Sequence, residues 1–297
     1  MSTVNLARVA LDTINKNSEL TGEALINKYL EELSHRVELN CMALDCQRHI
    51  IERNVDKGLL PNFSYGLVDF EHLYSTCGFL GIYETMKAFG FTEMDKFGNT
   101  YYTKNASALG SAIFDTMRKT ADKFIDKYGC NYKINFEQIP GESAANKLMQ
   151  KDKFFYPDAD IYDLPLYGNQ FIPLGTKTTI KERIRIAAEF DKYCSGGSIM
   201  HIGLQAPFDS YTKAREMVEY IADAGVTYFA FNPRIQTCKH AHAFFGKTCP
   251  TCGEPVTDEY TRIVGFYTPI KTWATPRRAE YKLRKYEDFN KQDVLTA

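Results

Sequence analysis

The chain reads as an α/β protein, and three observations predict this. Ser198 to Leu204 and Val226 to Phe231 are strand-like runs, and Asp209 to Ala224 between them repeats apolar residues at helical spacing. Two strands joined by a helix favour a parallel crossover. Upstream, a helical stretch over residues 105–128 gives way to alternation of period two. With 44% hydrophobic and 13% aromatic residues among 297, the chain has enough apolar matter for a sizeable core.

Taken in order, residues 105–128 place Leu109, Ile113, Met117, Phe124 and Tyr128 on one helical face, and Gly129 ends that helix because it tolerates a positive φ. Lys133-Ile134-Asn135-Phe136-Glu137 alternates as a half-buried strand does, and Pro140-Gly141 breaks it just before Glu142. Pro157 to Pro173, rich in Pro, Gly, Tyr and Asp, predicts an irregular surface or lining loop. From about Gln236 the composition turns to Cys, His, Pro and Gly, so boundaries are expected that divide the chain into 1–235, 236–258 and 259–297.

Thirty-six basic against 37 acidic residues leave a net charge of −1, with no block of like charge to track a phosphate backbone, which argues against a nucleic-acid polymer as partner. The N-terminus lacks the basic and apolar stretches of a secretory signal, and no run approaches the ~18 apolar residues of a membrane span. A cytoplasmic protein is the expectation. Eight cysteines, three of them within fifteen residues of one another, fit a reducing compartment and a metal site better than a disulfide framework.

That cluster is Cys238-Lys239-His240-Ala241-His242 followed by Cys249-Pro250-Thr251-Cys252-Gly253. A Cys-x-x-Cys turn brings two sulfurs to one ion, so Cys249 and Cys252 suit the tetrahedral thiolate and imidazole shell of a structural zinc. Cys238 supplies a third ligand, and the spacing leaves open whether His240 or His242 supplies the fourth. Redox-active thiols and a metal-free turn are the alternatives. Four protein ligands leave no open position for a catalytic metal.

Beyond the cluster lies Arg262-Ile263-Val264-Gly265-Phe266-Tyr267. An unpaired electron on a backbone Cα needs a centre that can flatten, and glycine lacks the Cβ that would crowd it. The competing reading of Gly265 is an ordinary strand glycine. Glu142, at the end of a strand, sits where α/β sites gather proton-transfer groups, or else is a helix-start carboxylate. Ser143 assists there or caps the helix. Gly196-Gly197 offers bare backbone N–H groups to a phosphate or forms a tight turn. Cys41, Cys46, Cys130 and Cys194 read as buried structural thiols, and His35, His49, His72 and His201 as structural or solvated.

The segment from Arg262 to Pro269, directly after the cluster, resembles the radical loop of anaerobic (class III) ribonucleoside-triphosphate reductases, members of the glycyl radical enzymes. Thr3-Val4-Asn5-Leu6-Ala7-Arg8-Val9-Ala10 is similar to a stretch of that family, with Ala7 where proline is usual. Ser75-Thr76-Cys77-Gly78-Phe79-Leu80-Gly81, Pro140-Gly141-Glu142-Ser143, Tyr167-Gly168-Asn169-Gln170-Phe171-Ile172-Pro173 and Ser195-Gly196-Gly197-Ser198-Ile199 extend the resemblance along the chain in order.

The resemblance implies half of a ten-stranded α/β barrel with a C-terminal zinc ribbon and a radical loop. It implies a structural zinc, a radical on Gly265 generated by an S-adenosylmethionine/iron–sulfur activase, and Glu142 as an acid/base group. Ser143, Cys77, Gly196 and Gly197 would lie near substrate, Cys77 standing where the family carries an aliphatic residue. Ribonucleoside triphosphates would be reduced to deoxyribonucleotides, with formate as reductant. Because the match begins at residue 3, the chain is expected to be the C-terminal half of a split reductase, its thiyl cysteine lying on an N-terminal half carried by another chain. The rival readings are a zinc-ribbon scaffold and a part that repairs damaged radical enzymes.

Overall fold

The computed structural model describes residues 1–263 and 265–291, and the backbone alone of Glu142. In order the elements are β1 (Ser2–Asn5), α1 (Leu6–Lys16), α2 (Gly22–Asp56), α3 (Pro61–Ser64), β2 (Ser75–Leu80), α4 (Ile82–Ala88), β3 (Thr92–Met94), β4 (Thr100–Tyr102) and α5 (Lys104–Tyr128). There follow β5 (Ile134–Gln138), α6 (Glu142–Phe155), α7 (Ile180–Asp191), β6 (Met200–Leu204), α8 (Tyr211–Asp223) and β7 (Phe229–Pro233). The C-terminal part holds β8 (Ile235–Thr237), β9 (Ala243–Phe244), β10 (Asp258–Arg262), β11 (Tyr267–Pro269) and α9 (Thr275–Leu283).

Two groups of parallel strands carry the fold. β1, β2 and β5 form one sheet, with Ser2 opposite Cys77 and Cys77 opposite Phe136. β6 and β7 pair from Met200↔Phe229 to Leu204↔Pro233 around the crossover helix α8, as the sequence predicts. One parallel bridge, Glu137↔Gly197, joins β5 to the segment entering β6, so five parallel strands follow one another in the order β1, β2, β5, β6, β7. The C-terminal segment adds a parallel bridge, Leu204↔Glu287, using Gly203 O and Gln205 N–H on the side of β6 turned away from β7.

One face of these strands sends Val4, Cys77, Phe79, Ile134 and Phe136 into one core with α2 and α5. Phe79, Phe114, Phe171 and Phe190 meet there at ring separations of 5.2 to 6.5 Å. Capping fixes the helix starts: Asn5, Thr103 and Ser210 accept from Arg8, Ala106 and Lys213 N–H.

Several expectations hold, and others need correction. Helix α5 covers the predicted stretch and ends on Gly129 at φ 61°. Tyr128, expected on the same helical face as Leu109 and Phe124, is 51% exposed, because its ring sits past the last core turn beside Phe124. The second strand of the crossover is Phe229–Pro233, shifted from Val226–Phe231, since Gly225 and Val226 close the turn after α8. Residues 157–173 are irregular as expected: Pro157, Asp158 and Asp160 lie at the surface, and the second part lines the interior, with Leu166, Tyr167, Phe171 and Ile172 buried. Cys46 is exposed and does not share the buried setting of Cys41 and Cys194.

Candidate functional site

β8, β9, β10 and β11 form an antiparallel sheet in the order β11-β10-β8-β9. Cys238 directly follows β8 and His242 directly precedes β9, so the β8–β9 hairpin delivers both to the same end. Ala241 takes a positive φ of 62° between them, a conformation that a residue with a Cβ keeps only where its surroundings enforce it. Cys249 and Cys252 sit on a second tight turn, closed by Gly253 N–H on Cys249 O at 2.9 Å.

The sulfurs and the imidazole converge. Cys238 Sγ is 3.6 Å from Cys252 Sγ and 3.6 Å from His242 Nδ1, and Cys249 Sγ is 3.5 Å from the same nitrogen. A tetrahedral zinc with its usual bond lengths requires about 3.6 Å between sulfur and nitrogen and about 3.8 Å between sulfurs. The donor set therefore fits, and the cluster could hold a metal ion. The ligand atoms of Cys238, His240, His242 and Cys252 lie within 4.8 Å of one another, with His240 exposed, and Cys249 joins through His242 Nδ1, which contacts two sulfurs. Burial raises the Cys249 thiol, but N–H groups of Cys252 and Thr251 outweigh it and bring the thiol down to about 6, which favours a thiolate ligand.

β10 carries the chain from this cluster to the hairpin tip, where Arg262 pairs with Tyr267 across the strands. Gly265 is exposed there, and a Cβ built on it would have nothing within 4 Å. Arg262 Nε and Nη2 donate to Gly265 O at 3.1 and 2.9 Å. Helix α9 and the residues flanking it brace the hairpin: Trp273 Nε1 donates to Thr268 Oγ1 at 2.8 Å, and Arg284 donates to Arg262 O at 2.8 Å. Tyr281 donates to Glu259, and Lys271 pairs with Asp258. Arg284 is held by both oxygens of Glu280, which is buried and also bonded to Arg277.

Glu142 begins α6, and Gly141, at φ 71°, turns the chain into it. The Glu142 side chain lies outside the described residues, as does Val264. Ser143 is not the cap of that helix, since Gly141 occupies the cap position. It lines a cavity of about 280 Å³ with Asn146, Lys147, Ile263 and Pro276, which brings the α6 N-terminus beside the hairpin tip. Such a helix end presents free N–H groups and favours anions.

The other predicted residues lie elsewhere. Gly196 and Gly197 form a turn at the β5–β6 seam, and their N–H groups are engaged by Phe136 O and Cys194 O. Cys77 is buried in β2, accepts from Asn40 Nδ2 at 2.9 Å, and is pushed up to about 12 by burial. It is a packed core thiol.

Three buried polar groups stand out only in the folded chain, among them His201, which the sequence reads as structural or solvated. Glu84 in α4 accepts from Gly168 N–H at 2.9 Å and is pushed up to about 8 by burial, while its Oε2 finds no partner among the described residues. His201 in β6 is brought down to about 4 by burial and by Arg262 and Arg284 nearby, and Asn232 Nδ2 donates to its Nδ1 at 2.7 Å. Asp152 accepts from Asn5, Arg8 and Tyr167, tying β1 to α6. A lone His or Glu carries no periodic signal, so only the folded chain distinguishes these three. Among the described residues no helix is long and apolar enough to cross a membrane.

Comparison with known proteins bears on this arrangement directly. The family described as anaerobic ribonucleoside-triphosphate reductase matches residues 1–286. Among solved structures the chain is similar to an anaerobic ribonucleotide reductase at 38% identity and a TM-score of 0.88, covering 96% of this chain and 44% of that one. It is similar to the anaerobic ribonucleotide reductase from Thermotoga maritima with glycerol in the active site at 39% identity and a TM-score of 0.84, covering 94% and 44%. With the same enzyme in complex with dATP and CTP the identity is 37% and the TM-score 0.82, over 95% and 44%. The chain thus spans less than half the length of these proteins. No curated protein sequence matches it. The motifs from Thr3 to Pro269, the α/β fold and the match over residues 1–286 agree: this chain belongs to the anaerobic ribonucleoside-triphosphate reductase family.

Proposed function

We propose that this chain is the glycyl-radical-bearing C-terminal part of an anaerobic ribonucleotide reductase, which converts ribonucleoside triphosphates to deoxyribonucleotides with Gly265 as the radical residue. The observation that carries the reading is the hairpin tip: a glycine with open space where a side chain would be, its carbonyl bound by Arg262, in a chain of this family. Residues 1–235 would form half of a ten-stranded barrel, 236–258 the zinc ribbon and 259–297 the radical loop and tail. The run of five parallel strands supports the first assignment.

Cys238, His242, Cys249 and Cys252 would hold a zinc ion, which when bound locks the ribbon and so fixes where β10 begins. Arg284, Glu280 and Trp273 hold the hairpin from the other side. Glu142, with Ser143 beside it, would move a proton at a ribose hydroxyl, and the α6 N-terminus would face the substrate's anionic groups. Cys41, Cys77 and Cys194 are packed in the hydrophobic core, and the cysteine that exchanges hydrogen with Gly265 is sought in the remaining length of the family's chain. That remaining part is the partner, and it would pair along β1, whose second edge carries no strand among the described residues. A groove there, lined by Val4, Asn5, Leu39 and Asn40, supports this docking. An activase of the S-adenosylmethionine type and formate as reductant complete the reading.

The test is anaerobic activation followed by electron paramagnetic resonance. A doublet from one α-hydrogen is expected, absent in Gly265→Ala. Exposure of the activated chain to oxygen should then cut at Gly265 and release residues 266–297. An activated chain with no doublet, left whole by oxygen, would instead mark a ribbon scaffold.

A further inference from the structure

The Gly265 carbonyl receives two charged donors from one side chain. Arg262 Nε and Nη2 lie 3.1 and 2.9 Å from the oxygen, and the backbone of the same arginine is fixed by Arg284 Nη1 at 2.8 Å. Arg284 in turn is gripped by buried Glu280 through contacts of 2.9 Å to each carboxylate oxygen. The fork aimed at Gly265 is therefore held from behind by a side-chain chain that starts in α9.

We propose that Arg262 is a positioning residue that tunes the Gly265 radical by drawing spin from Cα onto the carbonyl oxygen, an inference that rests on Gly265 being the radical residue. A spin on Cα is shared with the amide nitrogen, which donates electron density, and with the carbonyl, which withdraws it. A cation hydrogen-bonded to that carbonyl strengthens the withdrawal and stabilises the delocalised state. The guanidinium suits the task because it stays protonated at any working pH and its planar fork holds the peptide flat. In the step itself one Cα–H bond of Gly265 breaks homolytically. The hydrogen atom leaves with the carbon radical that the activase delivers, one electron stays on Gly265, and Arg262 neither gains nor loses a proton.

The experiment activates the full chain, as wild type, Arg262→Lys and Arg262→Ala, with a radical S-adenosylmethionine activase under strict anaerobiosis and records the resonance of each. In Arg262→Ala the α-proton splitting should widen and the signal should decay several-fold faster, with Arg262→Lys in between because charge is kept and the fork is lost. An Arg262→Ala doublet that matches wild type in splitting and lifetime overturns the proposal. A wild type with no doublet removes the radical assignment itself, a different result. Where neither variant takes up the radical, double resonance on wild type labelled with ¹⁵N-arginine decides. Exchangeable guanidinium protons coupled to the spin support the proposal, and their absence overturns it.

Discussion

Around β2 and β5 the chain is held by rings and aliphatic side chains: Phe79, Phe114, Phe171 and Phe190 pack against Ile113, Met117 and Ile134, all shielded from water. Around β8 to β11 the apolar contribution shrinks to Phe244 with Cys238, Cys249 and a half-buried Val256, and to buried Trp273 packed on Tyr281. There the order comes from a sulfur and imidazole cluster, from Glu280 between two arginines, and from single hydrogen bonds to strand ends. The difference teaches that the two regions answer to different chemistry. The parallel strands stand on burial, which is non-directional and spread over many residues. The hairpin stands on a few directional contacts, which set atoms accurately but fail one at a time.

The widest break between the two should come from Gly265→Ala. If Gly265 carries the proposed radical, the change should remove the doublet and the deoxynucleotide formation of the reconstituted enzyme entirely, while thermal unfolding of the parallel core stays within ~0.5 kcal/mol of wild type, as for other surface changes. Metal removal comes next. Structural zinc contributes about 10–16 kcal/mol in small zinc domains. Chelation, or Cys249→Ser, should therefore abolish hydrogen-exchange protection in β8 to β11 and leave protection in β2 and β5 intact. Equal loss in both regions would show that they do not fold separately.

Phe79→Ala attacks the other side of the comparison and should cost about 3–5 kcal/mol in denaturant unfolding, with metal content unchanged. Glu84 sharpens it through pH. Its folded value of about 8 lies above the ordinary 4.5, so between those values the folded chain keeps a proton that the unfolded chain releases. Stability should fall as pH rises across that window, by at most about 1.4 kcal/mol per pH unit, and Glu84→Gln should flatten the slope. A slope of opposite sign would mean that the carboxyl is paired when charged. The smallest effect is expected from Lys271→Ala, whose exposed partnership with Asp258 is worth ~0.5 kcal/mol or less.

How much was legible beforehand follows the same division. Helix α5 and its Gly129 stop, strand β5 and the crossover through α8 could be read because period and breakers are local. The 35-residue α2 went unread, although Tyr29, Leu33, Val37, Cys41 and Leu44 mark its buried stripe, because its charged residues are dense enough to mask the period. The cluster ligands were named from spacing, but the choice between His240 and His242 waited on which nitrogen the β8–β9 turn aims at the sulfurs. Ser143 as a cap and Cys46 as a buried thiol failed because each depends on where neighbouring elements end.

By itself, the sequence determined the α/β class, the family motifs and the residues of the Cys/His cluster and of the hairpin glycine, since each is written in residue identity and short-range spacing. The tertiary structure alone decided that Arg262 reaches the Gly265 carbonyl, that α9 supports that arginine, and that α6 begins beside the hairpin tip. The first spans three residues and depends on the hairpin that β10 and β11 form; the others join segments 22 and 120 residues apart, and their geometry arises only when packing has fixed where each segment runs.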